Sequence, residues 1–378
     1  MRIEQSHWTA GGWARTLGEP LGGRATLVLM FGGRHELGVT ERIEETRKAY
    51  PGAHVVGCST AGEIRGTRVS DGAIVRTALR FERSGARTAT VLVRDSAESA
   101  GAGETLAKAL DKSGLIHVLV LSDGIRVNGS DLVRGLASGL PTNVTVTGGL
   151  SGDGTDFLKT VVLCDGPAEA GLVAAIGLYG DRLEVGYGSL GGWDPFGPER
   201  VVTRSRGNVL CELDGRSALD LYKAYLGDHA KDLPASGLLF PLCVRSSPED
   251  PGVVRTILSV DEAESSLTFA GDVPEGSYAR LMKANFDRLV DGAVGAARNS
   301  MLPMGDRSPD FALLISCVGR KLILKQRVEE EVEGVREVLG ERTVLAGFYS
   351  YGEISPFTPS ARCELHNQTM TVTTLTEG

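Results

Sequence analysis

Two short polar segments near opposite ends of the chain carry the residue types best suited to chemistry. Residues 57–64 read GCSTAGEI and residues 347–354 read GFYSYGEI, so they agree at two glycines, a hydroxyl, a glutamate and an isoleucine. Glycine lets backbone N–H groups approach a ligand, a hydroxyl donates or accepts, and a carboxylate accepts from an ammonium or guanidinium group. The pattern therefore favours binding of a small polar molecule.

Each of these residues also has a purely structural alternative. Glu63 and Glu353 can accept hydrogen bonds from the backbone of their own loops, and tight turns often need glycine for a positive φ. The hydroxyls of Ser59, Thr60 and Ser350 are open to either role. The sequence alone leaves both interpretations open.

A third glycine-rich loop, GGLSGDG at residues 148–154, follows a strand of the same kind. It supplies Gly149 and Asp153, and Asp123 lies in the SDG that ends the preceding strand. Both aspartates are suited to bind a cation or a ligand amine, although aspartate is also a common turn residue. This loop is the diverged counterpart of the other two.

Catalysis is a further alternative, although we expect binding without it. Cys58 is a candidate nucleophile, but no His or Lys is near it in sequence to activate it, and a small buried thiol is the competing interpretation. Glu63 and Glu353 are a candidate acid–base pair. Arg320 suits bidentate binding of a carboxylate, or else a structural salt bridge.

The elements that position these residues repeat three times. Apolar runs at 25–31, 115–121 and 311–318 each predict a strand, followed by a helix, a second strand, a polar loop and further strands. Strand–helix–strand units imply parallel neighbours, and ligands bind beyond the carboxyl ends of such strands. We expect an α/β (mixed α+β) fold of two domains with mixed sheets, in which the three loops converge on one cleft.

Three segments follow from this pattern. Residues 1–24 are interpreted as an N-terminal arm with a short helix, packed on the body. Residues 25–214 form a first domain and residues 215–378 a second.

Composition argues against several classes of binding partner. The 378 residues carry a net charge of -8, which argues against a nucleic-acid partner. No run approaches 18 apolar residues, the start lacks a secretory signal, and the six cysteines show no metal-type grouping. We expect a cytoplasmic protein with no metal and no membrane partner.

The motifs resemble those of the FIST family, the F-box and intracellular signal transduction proteins. The N-terminal half matches through GCSTAGEI, SDG and GGLSGDG, and the C-terminal half through SCVGR (316–320), GFYSYGEI and HNQT (366–369). The resemblance implies a FIST N-terminal and a FIST C-terminal domain in a sensory protein. Such a protein is expected to bind a small ligand, with an amino acid as one candidate.

The resemblance also raises a haem alternative, because some bacterial relatives bind haem and respond to nitric oxide. His366, Tyr349 and Cys58 are the candidate axial ligands. Only about 24 residues precede the first predicted strand, so we expect no F-box and an output through a separate partner protein or a homodimer. The complete set of candidate ligand-binding residues is Cys58, Ser59, Thr60, Glu63, Asp123, Gly149, Asp153, Arg320, Tyr349, Ser350, Glu353, His366 and Asn367.

Overall fold

Three successive stretches of the chain fold into similar units, and a fourth sheet is inserted into the third unit. The structure, a computed structural model, describes residues 1–250, 252–305, 307–356 and 362–378. The fold is mixed α/β with two domains, as the sequence predicts, and its four sheets combine parallel and antiparallel neighbours or are antiparallel throughout. No helix in the described ranges has the length and apolar character needed to cross a membrane.

The first unit is built on two parallel strands joined by helices. The first of them, LVLMFG, is apolar along its length because it is covered on both faces. The N-terminal segment forms two strands rather than the expected short helix. The elements are β1 (Arg2–Thr9), β2 (Gly12–Leu17), β3 (Leu27–Gly32), α1 (Arg34–Leu37), α2 (Thr40–Ala49), β4 (His54–Ser59), β5 (Glu63–Arg65), β6 (Arg68–Ser70) and β7 (Ile74–Arg80).

The second unit repeats this plan with an additional helix before its parallel pair. Its second helix begins after Asn128, whose side chain accepts from the N–H groups of Ser130 and Asp131 and so caps the first turn. The elements are β8 (Gly85–Leu92), α3 (Ser99–Ala109), β9 (Leu115–Ser122), α4 (Gly129–Gly139), β10 (Thr145–Leu150), β11 (Val162–Cys164) and β12 (Leu172–Tyr179).

The third unit is interrupted after its first strand, β13 (Leu183–Leu190). The interruption forms a separate antiparallel sheet, the inserted sheet, whose apolar core also includes the helix α5 (Ala218–Leu226). Its elements are β14 (Asp194–Arg206), β15 (Val209–Leu213), β16 (Arg216–Ser217), α5 (Ala218–Leu226), β17 (Leu242–Arg245), β18 (Val253–Arg255), β19 (Ile257–Asp261), β20 (Ser266–Phe269) and β21 (Tyr278–Lys283).

The chain then returns to complete the third unit. Its parallel strands are again buried along their whole length. The remaining elements are α6 (Phe286–Ser300), β22 (Phe311–Cys317), α7 (Val318–Leu324), α8 (Val328–Leu339), β23 (Val344–Ser350), β24 (Gly352–Pro356), β25 (Cys363–His366) and β26 (Met370–Glu377).

The units exchange strands in a cycle. In each unit the chain leaves the second parallel strand through the glycine-rich loop and enters the sheet of another unit. Strands β5 and β6 join the third sheet beside β23, β11 joins the first sheet beside β4, and β24 and β25 join the second sheet beside β10. The three loops are therefore the crossing points between the sheets.

Candidate functional site

The three loops begin at equivalent glycines, Gly57, Gly148 and Gly347. Each pairs in the same register with the first parallel strand of its own unit. A Cβ at these positions would lie 1.9, 2.0 and 1.8 Å, respectively, from a carbonyl oxygen of that neighbouring strand. Close backbone approach, rather than a ligand, therefore requires glycine at the start of each loop.

Backbone hydrogen bonds join the loops to one another, and we call residues 57–64, 148–154 and 347–354 together the loop ring. Three of these bonds occupy equivalent positions, and each runs from an N–H of one loop to a carbonyl of the next. The bonds join Gly152 to Ser59 (2.9 Å), Ala61 to Tyr349 (2.8 Å) and Tyr351 to Leu150 (3.1 Å). The loops converge as predicted, but they close on one another instead of surrounding an open cleft.

Glu63 is satisfied within the first loop. Its carboxylate accepts a hydrogen bond of 2.6 Å from the Thr60 hydroxyl and one of 3.1 Å from the backbone N–H of Ala73. Burial raises the pKa of Glu63 to about 7, and these two hydrogen bonds oppose the rise. The arrangement is the structural alternative that the sequence left open.

Glu353 repeats this arrangement in the third loop. It accepts from the Ser350 hydroxyl (2.5 Å) and from both the N–H (3.1 Å) and the hydroxyl (2.9 Å) of Thr369. Burial raises the pKa of Glu353 to about 8, against the hydrogen bonds from Ser350 and Thr369 and the charge of Arg320.

The second loop has lost the glutamate, and Gly154 follows Asp153 there. Ser151, the counterpart of Thr60, has a buried hydroxyl with no hydrogen-bond partner among the residues that the structure describes. Asp153 instead binds the Tyr351 hydroxyl and pairs with Arg34 at 3.2 Å. Its carboxylate ties the second loop to the third loop and to the first unit.

Arg320 and Tyr349 belong to a buried ion-pair network. The guanidinium of Arg320 donates to Glu331 through Nη2 at 2.7 Å and Nε at 3.0 Å, and to the carbonyl of Leu289 at 2.6 Å. The Tyr349 hydroxyl donates to the same glutamate at 2.6 Å. Arg320 thus holds α6, α7 and α8 together and has its charge balanced by Glu331.

The other predicted residues are also inside the protein. Asp123 accepts from backbone N–H groups that follow it and from that of Gly171, and Gly149 packs against Ile315. Asn367 contacts the carbonyl of Tyr351 at 3.5 Å. All thirteen predicted residues are buried.

Each of the three candidate haem ligands is either bound to another group of the protein or enclosed in the apolar core. The Nε2 atom of His366 lies 2.8 Å from the carbonyl oxygen of Ser355, and burial lowers its pKa to about 4. Tyr349 is bound to Glu331, and Cys58 lies in the apolar core, where burial raises its thiol pKa well above the usual value. These positions do not fit an axial ligand, and they give Cys58 no activation as a nucleophile.

A groove of about 1200 Å³ lies elsewhere, between the second sheet and the inserted sheet. It is lined by α4 and the turn after it, by β25, and by β17, β18 and residues 272–277. Sequence reasoning missed this groove because its walls come from distant segments. One signal was available: Arg255 interrupts the apolar stretch VVRTIL at 253–258.

Arg255 is the buried charge of the groove, with 6% of its surface exposed. Its Nε donates to the carbonyl of Asp272 at 3.1 Å and its Nη1 to the carbonyl of Leu365 at 2.8 Å. Burial lowers the pKa of Arg255 to about 10, against the charges of Glu364 and Asp272, so the guanidinium stays protonated at neutral pH. It is held in place by neutral carbonyl groups.

Comparison with known proteins places these observations in a family. The FIST N domain matches residues 26–216 and the FIST C domain matches residues 218–356. No curated protein matches the sequence. A solved chorismatase structure is similar at 10% identity over 98% of each chain, with a TM-score of 0.33, which is too weak to support an argument. The chain belongs to the FIST family, whose domains are sensory, ligand-binding domains of signal transduction.

Proposed function

We propose that this chain is a sensory protein whose small ligand binds in the groove between the second sheet and the inserted sheet, without catalysis. The observation that carries the proposal is the contrast between two places. The loop ring is buried and its carboxylates are already bound by other groups of the protein, whereas the groove is open and offers about 1200 Å³ lined by charged groups. Cys58, the candidate nucleophile, is not among the residues that line it.

The groove suits a ligand of the amino-acid class, which carries a carboxylate and an ammonium group. Arg255 offers a cation, while Asp272 and Glu364 offer carboxylates on the same surface. Charge-assisted hydrogen bonds to such groups are the stronger kind in proteins. A ligand held between the two sheets would change their contact, and the signal would pass to a separate partner protein.

A thermal-shift screen with the standard amino acids tests this proposal on three proteins. A ligand at one hundred times its Kd stabilises the native state by about 2.7 kcal/mol. Ala137 is exposed on α4 and lines the groove, so Ala137→Trp fills it. Ala109 is exposed at the end of α3 outside the groove, so Ala109→Trp is the matched control.

We expect one or more amino acids to raise the melting temperature of the wild type and of Ala109→Trp, and not that of Ala137→Trp. An equal shift in all three proteins would place the ligand outside the groove. No shift with any amino acid would remove this ligand class.

A further inference from the structure

The groove holds a buried cation, Arg255, that forms no direct ion pair with a carboxylate of the described residues. Nε and Nη1 of Arg255 donate to carbonyl oxygens, and no hydrogen bond from its Nη2 ends on a described residue. Within the described ranges, no carboxylate oxygen lies within 4 Å of this guanidinium. Burying a charge in this way is costly unless an anion completes its coordination.

The other arginines that line the groove are either paired with a carboxylate or exposed. Arg245 forms a bidentate pair with Glu199, with both distances at 2.7 Å, and Arg134 pairs with Asp131 of its own helix. Arg362 is exposed at the edge of the groove. Arg255 is therefore the buried arginine of the groove with which an anionic ligand group can form a new ion pair.

The surrounding charges favour a single negative charge on the ligand. Asp272 and Glu364 line the groove and act on Arg255, and Asp250 adds a third carboxylate. A phosphate dianion would be repelled by these groups, whereas a carboxylate matches one guanidinium in charge and in planar geometry. The same acidic groups can accept hydrogen bonds from an amino terminus.

The size and the walls of the groove indicate an extended ligand. A volume of about 1200 Å³ exceeds what a single amino acid fills, since pockets for drug-sized ligands are about 300–1,000 Å³. Two of its walls, β18 and β25, are the outermost strands of their sheets. Outermost strands are the elements along which extended peptides bind.

We propose that the groove binds short peptides, with the C-terminal carboxylate held by Arg255 and the rest of the peptide lying along the groove beside β18 and β25. This rests on the proposed function, because it names the ligand of the same groove. A peptide retains the two charges of an amino acid and adds the length that the groove accommodates.

The direct test uses the wild-type protein and two probes. A random tetrapeptide mixture with free carboxyl termini and the same mixture with amidated termini are each equilibrated with the protein by dialysis, and the retained peptide is quantified by mass spectrometry. We expect the free acids to be retained at least about tenfold more than the amides, because amidation removes a charge-assisted pair with a buried partner.

Arginine variants test whether Arg255 is responsible for the preference for free-acid peptides. Arg255→Met should abolish the preference for the free acid, while Arg255→Lys should retain part of it. Arg204→Met, which removes a cation of the inserted sheet that pairs with Glu212 outside the groove, should leave the preference intact. The wild-type comparison of acid with amide stands alone if Arg255→Met does not fold.

The outcomes separate the two proposals. Equal retention of acids and amides overturns the role of Arg255. Stabilisation by free amino acids without retention of tetrapeptides overturns the peptide inference and keeps the proposed function. No response to either probe overturns both.

Discussion

At the scale of single residues, close approach of a neighbouring carbonyl oxygen explains why each loop begins with glycine. In Gly347→Ala the new Cβ would meet the carbonyl of Leu314 at 1.8 Å, so a strand must move. We predict a loss of about 3 kcal/mol or more in the free energy of unfolding, measured by urea denaturation. Gly101→Ala is the control, because nothing lies near it in α3 and alanine there should stabilise by up to about 1 kcal/mol. Similar costs for both variants would contradict the contact explanation.

The buried glutamates predict a pH dependence of stability. The folded pKa of Glu353, about 8, lies above the ordinary 4.5, so the folded protein holds a proton in this window that the unfolded chain has lost. The contribution of Glu353 to stability is therefore fully present below pH 4.5 and is lost as pH rises to 8, by at most about 1.4 kcal/mol per pH unit. Glu353→Gln should flatten urea-unfolding free energies measured across this range. An unchanged slope would mean that Glu353 is ionised throughout.

The sequence identified the loops, but it did not show whether their glutamates bind a ligand or the backbone. The match of residues 57–64 with 347–354 identified equivalent positions, and both proposed roles for Glu63 and Glu353 used the same atoms. Whether each glutamate binds a ligand or the backbone depends on Ala73 and Thr369, which lie just before β7 and β26 in segments with no motif in common. Such partners come from the tertiary structure, which a local pattern does not contain.

At the scale of elements, the apolar runs predicted the repeated strand–helix–strand units, because burial on both faces demands continuous apolar residues. They did not predict the exchange of strands. Whether β5 pairs with its own unit or with β23 depends on register between distant segments. The exchange accounts for the ring of hydrogen bonds that closes the loops.

Arg320 provides a test of how the helices of the third unit are held. Arg320→Met leaves Glu331 buried without its cation, and we predict a loss of about 3–5 kcal/mol in the free energy of unfolding by denaturant titration. Arg327→Met removes a more exposed arginine that pairs with Glu330, and should cost about 1 kcal/mol or less. If the two variants lose the same stability, the network does not hold the helices.

At the scale of the whole molecule, cyclic exchange of strands ties the three units together. A destabilising change in one unit should therefore weaken all three. We predict that Gly57→Ala accelerates amide hydrogen exchange in β22 by the same factor as in β3, under conditions where exchange follows global unfolding. Acceleration confined to β3 and β4 would mean that the units unfold separately.

The groove forms only when separate parts of the chain come together in the folded molecule. Its residues come from α4, β25 and the inserted sheet, which lie in well-separated parts of the sequence. The apolar pattern around Arg255 marks a buried strand, but the missing carboxylate partner becomes visible only when β18 and β25 lie side by side. A ligand site formed between sheets is thus harder to predict than one formed by a loop.

We propose that the ligand binds in the groove and leaves the loop ring unchanged. Amide hydrogen exchange of the wild type, with and without the amino acid or free-acid tetrapeptide mixture that gives the largest thermal shift, tests it most directly. We predict slower exchange in β18, β25 and the end of α4, and no change in residues 57–64, 148–154 and 347–354. Slower exchange in those loops, with none in β18 and β25, would mean that the ligand binds at the loop ring and not in the groove.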